Sequence, residues 1–434
     1  MSVYWCEYAW LPDGVAAAVR IEVDGALITA VTAGAPREGT VLDGLTVPGF
    51  ANAHSHAFHR ALRGRTHHDR GTFWTWRKRM YALAERLDPD SYYRLARGVY
   101  AEMVLAGYTS VGEFHYLHHA PGGARYDDPN AMSAALAAAA ADAGIRLTLL
   151  DTCYLAGGFG VELGEHQLRF GDGDAESWAI RAAAFRPDPA LVRLGAAAHS
   201  VRAVPAEALP VVAAYAEGKP LHVHVSEQRA ENQGCLSASG RTPTALLAET
   251  GVLGAHSVAV HATHLTGEDI GALARTGTRA CFCPTTERDL GDGIGPGRAL
   301  LDAGVGLCLG TDSHAVVDAF EEWRALELNE RLASEARGRF AVDELFAAAT
   351  DHASIGWDGV GTLTAGAGAD LVTVSLGSIR TAGTEPGGAL FAANGADVRE
   401  VVVAGRHVVH EGTHRLIERP EAVLAKEIEE LCRH

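Results

Sequence analysis

Histidines and one aspartate recur where short apolar runs end. His54 and His56 close PGFANAHSH and lie two residues apart. In an extended segment such residues project to one side, so both imidazoles can face a single ion. His224 ends the apolar run 221–225, His261 ends 257–260, and Asp312 ends 305–311. Four imidazoles and a carboxylate suit a borderline divalent ion, with one Zn2+ the expected choice and Fe2+ or another divalent ion accepting the same ligands. An ion held this way lowers the pKa of bound water and supplies hydroxide near neutral pH. Glu227 lies three residues after His224 in HVHVSE. It is placed to take a proton from water and hand one to a departing nitrogen. Its plain alternative is an acid at a helix start, favoured by the helix dipole. Asp312 could ligate and also accept the water proton. His261, or His264 three residues later, is expected to steady the reacting group. His222 reads as a polar residue within the fold, and His314 as a group that orients a ligand.

These residues need elements to position them. Eight strand-like runs occur, near residues 50 (LTVPGFANAH), 110 (YTSVGEF), 148 (RLTLLDT), 195 (VRLGAAAHS), 223 (PLHVHVSE), 260 (SVAVHATH), 281 (TRACFCP) and 309 (VGLCLGTDSH). Helical stretches separate them, among them 92–105, 131–143 and 340–349. Eight such steps predict an α/β fold, a (β/α)8 TIM-like barrel over residues 48–363 with the ligands at the C-terminal ends of its strands. A doubly wound sheet would want a phosphate loop, and the chain has no GxGxxG or GxxxxGK. Both chain ends read as short strands and turns, including a hairpin at Asp24-Gly25 and a turn at Ala404-Gly405. Residues 1–47 and 364–418 are expected to form one small β-sandwich domain, and 419–434 a helix packed outside.

Acidic residues number 54 against 37 basic ones, a formal charge of -17, with no basic tract. That composition argues against nucleic acid as a partner. No apolar run is long enough to cross a bilayer, and no leader is expected from the first residues. Seven scattered cysteines without CxxC argue against a disulfide scaffold and for a reducing, cytoplasmic setting. Cys281, Cys283 and Cys308 read as small core side chains.

PGFANAHSH, HVHVSE, HATHLT and GTDSH, in this order, resemble the amidohydrolase superfamily in its one-metal deaminase branch. FWTWRKRMY, GEFHYLHH, AAHSVRAV, PLHVHVSEQRAEN and CPTTERDLGDGI resemble, more narrowly, the formimidoylglutamate deiminase family, over nearly the whole chain. The resemblance implies hydrolysis of N-formimino-L-glutamate to N-formyl-L-glutamate and ammonia, in histidine degradation. It implies one zinc on His54, His56, His224, His261 and Asp312, with Glu227 as general acid/base. Arg77 and Arg202 would each hold one carboxylate of a small dicarboxylate substrate, and Tyr116 and His199 would line it and hydrogen-bond to it. A homodimer is admitted. The residues agree in part, since a dicarboxylate wants two guanidinium forks set apart. Arg202 follows the fourth strand, and Arg77 lies in the long first loop, a natural lid that also carries Trp74 and Trp76. No lysine lies near the third or fourth strand, so a carbamylated lysine bridging two metals is not expected. His59 stands where the family usually carries Gln, near the formimino end, and brings a charge that depends on pH. Arg288-Asp289 replaces a small residue and an amide. The alternatives are a deaminase of a related formimino or guanidino amino acid or of a nucleobase-like ring, and, in a different class, a non-enzymatic metal-binding barrel.

Overall fold

The computed structural model describes residues 1–66 and 71–433. Four strands come first: β1 (Ser2–Leu11), β2 (Gly14–Asp24), β3 (Leu27–Thr32) and β4 (Thr40–Pro48). Eight more follow: β5 (Phe50–Ser55), β6 (Tyr108–His115), β7 (Arg146–Cys153), β8 (Val192–Ala198), β9 (Leu221–Val225), β10 (Ser257–His261), β11 (Arg279–Phe282) and β12 (Leu307–Leu309). The last four are β13 (Leu371–Val374), β14 (Val398–Val403), β15 (Arg406–His410) and β16 (Thr413–His414).

Strands β5 to β12 pair in sequence order, each parallel to the next, with helices between them. This is the (β/α)8 barrel. Every residue of β6 and β7 is buried, as expected when both faces of a parallel sheet are covered. The ring closes between the segment after β12 and β5. Thr311 and Asp312 N–H both donate to the His54 carbonyl, at 3.1 and 3.0 Å, and His56 N–H donates to the Asp312 carbonyl at 3.1 Å. The Asn52 side chain adds two bonds to Thr311, at 2.7 and 3.0 Å. Gly310 is required at this seam, because a Cβ there would sit 2.7 Å from the His54 carbonyl oxygen.

The two chain ends build a second, mixed sheet in the order β16-β15-β14-β13-β4-β1-β2-β3, in which β1 and β4 are parallel. It folds over on itself. Leu27 bridges Gly368, and Ile28 N–H donates to the Ala367 carbonyl at 2.8 Å. Tyr4, Cys6, Val19, Ile21, Leu42 and Leu371 are buried between its halves. Two strands exceed the short ones expected, β1 at 10 and β2 at 11 residues. β1 is paired on both edges, which supports a long run.

The single strand expected near residue 50 is two strands in two different sheets. β4 belongs to the mixed sheet and β5 to the barrel, and the chain changes sheet at Gly49. A Cβ on Gly49 would lie 2.2 Å from Thr109 Oγ1, so the crossing admits no side chain. The C-terminal helix, Pro420–Cys432, packs on helix Pro89–Leu105, where Arg94 Nε donates to Glu427 Oε2 at 2.6 Å and Leu424 lies over Gly98.

Barrel and sheet are joined by a buried ion pair. Arg146, at the start of β7, reaches Asp370, the residue before β13, with N···O distances of 3.1–3.3 Å. The side chains are 6% and 0% exposed, and Asp370 also accepts the Ala404 N–H. Arg146→Met would leave a buried carboxylate without its counter-charge, and is expected to cost about 3–5 kcal/mol of stability. Urea unfolding of the variant against the parent measures this. A loss near zero would mean that water or another group replaces the guanidinium.

Candidate active site

The C-terminal ends of the barrel strands bring the chemistry together. His54 and His56 come from β5 and the residue after it, His224 from β9, His261 from β10, and Asp312 from the turn after β12. One ligand atom from each of His54, His56, His224 and Asp312 falls within 4.8 Å of the others. His54 Nε2 faces His224 Nε2 at 3.1 Å, and Asp312 Oδ1 is 3.4 Å from Nε2 of both His54 and His56. His261 stands at the edge of this group, its Nε2 3.9 Å from Asp312 Oδ2 and 3.9 Å from Glu227 Oε1.

The donor chemistry fits a divalent ion. His56 Nδ1 lies 2.9 Å from the Phe114 carbonyl, and His224 Nδ1 lies 2.8 Å from the His199 carbonyl. A carbonyl only accepts, so each Nδ1 carries the hydrogen and each Nε2 keeps its lone pair for the centre. Burial pushes His54, His56 and His224 well below the usual histidine range, leaving them neutral. Burial raises the Asp312 carboxyl, but the charge on neighbouring His261 outweighs it and holds it below the usual range. Burial likewise opposes a charged His261, yet Glu227, Glu287 and Asp312 lift it to about 10. A divalent ion bound here would compete with the proton for Nε2.

Backbone strain concentrates at this rim. Five of the ten non-glycine residues with positive φ, among the described residues, are Ser226, His261, Ala262, Asp312 and His314. The left-handed conformation turns the chain sharply at each strand end, and its cost of about 1–3 kcal/mol per residue is met by the surrounding packing.

A pocket opens over the ligands. It is lined by His56, His224, His261 and Asp312, by Glu227, and by His59, Arg77, Tyr116, His199 and Arg202. The substrate-contact residues expected from the sequence thus share one cavity with the ligands. Glu227 is buried, and that burial raises its carboxyl above the usual range, with His261 opposing. A raised carboxyl holds a proton more readily, which suits a group that must give one as well as take one. Arg77 Nε donates to the Tyr81 hydroxyl at 2.6 Å, and Gln167 Nε2 donates to the Tyr154 hydroxyl at 2.7 Å. Arg202 Nε lies 3.8 Å from Glu231 Oε2, a carboxylate only 1% exposed. Burial raises Glu231 to about 7, with Arg202 opposing. The segment expected as a loop around Arg77 is a helix, Phe73–Ala84; its Trp76 lines the pocket, and the Trp74 side chain lies outside the described residues.

His59 differs from its expected behaviour. It is 3% exposed, and its Nε2 lies 3.1 Å from the Tyr116 hydroxyl. Burial lowers it to about 4, so it is neutral across the physiological range rather than pH-dependent there. His264 is not among the pocket residues. Its Nε2 donates to the Asp292 carbonyl at 2.8 Å, which braces two rim loops. Arg288 and Asp289 do not line this pocket but an outer cleft with Thr66 and Glu321, which shares Trp76 with it. His222 lies inside the barrel against the Ser354 carbonyl. His314 Nε2 lies 3.0 Å from Ser55 Oγ, which donates to Glu113. Glu113 also accepts the Ala57 N–H, so a buried carboxyl steadies both sides of His56.

Sequence reasoning did not single out Tyr81, Tyr154, Phe170, Glu231 or Glu287. Glu287 had a usable signal, since it follows β11 on the same rim and reaches His261 Nδ1 at 3.4 Å. Tyr154 had the same signal, directly after β7, whereas Tyr81 and Phe170 come from helical segments that only the closed fold brings to the pocket.

The amidohydrolase family model matches residues 45–408. The chain is 37% identical to formimidoylglutamate deiminase of Pseudomonas aeruginosa, covering 99% of this chain and 100% of that protein. It is 27% identical to 5'-deoxyadenosine deaminase of Methanothermobacter thermautotrophicus, over 87% of this chain and 86% of the other. Among solved structures, an amidohydrolase from Brucella melitensis superposes with a TM-score of 0.92 at 33% identity, covering 100% of both chains. The zinc complex of atrazine chlorohydrolase from Arthrobacter aurescens TC1 superposes with a TM-score of 0.86 at 22% identity, over 99% and 100% of the two chains, a likeness of fold.

Proposed function

The chain belongs to the amidohydrolase family, and from that premise we propose that it hydrolyses N-formimino-L-glutamate to N-formyl-L-glutamate and ammonia, as in histidine degradation. Family and full-length similarity to a deiminase make it a metal-dependent C–N hydrolase. The observation that carries the finer reading is the presence of two guanidinium groups, Arg77 and Arg202, in the pocket that holds Glu227 and the ligand cluster. A neutral nucleobase offers no carboxylate to either fork, whereas a dicarboxylate offers one to each.

His54, His56, His224, His261 and Asp312 would hold one Zn2+, or another divalent ion of like preference. When bound, such an ion lowers the pKa of water and polarises the C=N bond. The two arginines grip the two carboxylates, and that binding energy fixes the formimino carbon over the ligand cluster. Tyr116, His199 and the neutral His59 hydrogen-bond to the substrate and hold its planar end. Glu227 takes a proton from the attacking water and passes it to the terminal nitrogen. As the carbon–nitrogen bond breaks, Asp312 takes the second water proton and yields it to the departing nitrogen, so ammonia leaves and the former water oxygen stays as the formyl carbonyl. Asp312 and His261 keep Glu227 in a field where its proton is readily given and taken.

Ammonia release by the zinc-loaded protein tests the reading. N-formimino-L-glutamate is expected to be turned over in preference to N-formimino-L-aspartate, N-guanidino-L-glutamate, guanine, cytosine and adenosine. Preferred release from any of the others would reassign the substrate and leave the C–N hydrolase.

A further inference from the structure

The mixed sheet carries a second cluster of ligand-type side chains, outside the barrel. Glu400 lies on β14, and His407 and His410 lie on β15. Residues three apart in a regular strand face opposite sides. Here the pairing slips by one, with Val402 opposite His407 but Val401 opposite Val409. Val408 is the extra residue of a β-bulge. Val408 and Val409 are both buried in the large core that includes the barrel, which leaves His407 and His410 together on the other face with Glu400. Glu400 Oε2 is 2.6 Å from His407 Nε2 and 3.0 Å from His410 Nδ1. Its other oxygen is held by the Glu411 N–H at 3.0 Å, and Glu411 adopts a φ of 47° in the turn that presents it. Burial raises the Glu400 carboxyl, but its hydrogen bonds from His407, the Glu411 N–H and His410 outweigh that and keep it ionised. The side chains are 10%, 14% and 56% exposed for Glu400, His407 and His410, so the cluster has a buried floor and one open side.

We propose that Glu400, His407 and His410 form a second divalent-metal site, of zinc type, that clips β14 to β15. Two imidazoles and one carboxylate, with water as the fourth donor, are a recurrent zinc set. The backbone N–H on Oε1 fixes the carboxylate and leaves Oε2 free to ligate, the role that outer partners play around metal-bound carboxylates. Tetrahedral bonds of about 2.0–2.1 Å put donors roughly 3.3 Å apart, so each histidine nitrogen needs to part from Glu400 Oε2 by less than about 1 Å. The half-exposed His410 can move that far. Nothing in the barrel reaction uses these residues.

Equilibrium dialysis against micromolar free Zn2+, followed by metal analysis, separates this site from the barrel centre. The parent protein is expected to hold one equivalent more per chain than the His407→Ala/His410→Ala variant. That extra equivalent should persist in His54→Ala/His56→Ala, whose barrel ligands are cut. His410→Gln, at the exposed position, serves as a second variant if the double alanine protein fails to fold, and should lose the same equivalent. Added zinc should raise the Tm of His54→Ala/His56→Ala and lose that effect when His410→Gln is added. Equal metal content with and without His407 and His410 would overturn the proposal, and would leave two imidazoles that merely hydrogen-bond a carboxylate.

Discussion

Glu227→Gln is expected to lower turnover by about 10²–10⁴-fold while bound metal stays at the parent level. Glutamine keeps the shape and hydrogen-bonding reach of the side chain but cannot exchange a proton. Glu227 lies outside the tight ligand group, and its Oε1 is 3.9 Å from His261 Nε2, so its loss removes a carrier and not a ligand. The expected effect therefore falls on kcat, with KM little changed. Parallel metal analysis is essential to the measurement. Turnover that survived largely intact would remove Glu227 from the proton path and move attention to Asp312. Loss of metal along with turnover would make Glu227 a ligand.

Arg202→Met is expected to lower kcat/KM for the dicarboxylate substrate by roughly 10²–10³-fold, the worth of a desolvated, charge-assisted pair of hydrogen bonds. The more telling readout is selectivity. Two analogues each lack one carboxylate of the substrate, and one of them should be nearly indifferent to this substitution because it never used Arg202. Arg202 also sits beside Glu231, which is 1% exposed, so its removal strands a buried acid and can weaken the fold. Pairing it with Glu231→Gln removes that second effect and should leave the kinetic loss in place. A uniform loss with all three compounds, or none, would show that Arg202 does not bind a carboxylate.

Much of this arrangement was legible in the sequence. Ligand-type residues stand where apolar runs stop, and in a barrel every such stop lies on one rim, so linear position translated into shared location. His54, His56, His224 and Asp312 converge for that reason. Regions decided by contact between distant segments were not legible. The run across Gly49 reads as one strand because nothing local reports the Thr109 side chain pressed against it. The neutrality of His59 follows from burial under neighbouring loops, which no pattern of types displays. His264 sits three residues from His261 and resembles it in linear view, yet it turns to the Asp292 carbonyl, because the chain passes through left-handed conformations at 261 and 262 and leaves the strand direction there. The β15 bulge, too, appears only once the strands are paired.

The seam at which the barrel closes sets an order of events for the protein's own synthesis. His54 and Asp312 meet backbone to backbone there, so the last ligand needed is also the last stitch of the ring. A chain growing from its N-terminus can thread seven strands and still offer an ion only a partial grip. The full set of ligand side chains is therefore complete only once residue 312 has been made. The mixed sheet waits longer, since β4 must hold its edge until β13 is made. A nascent chain halted between these points would carry a complete ligand set on a barrel that still lacked its partner sheet.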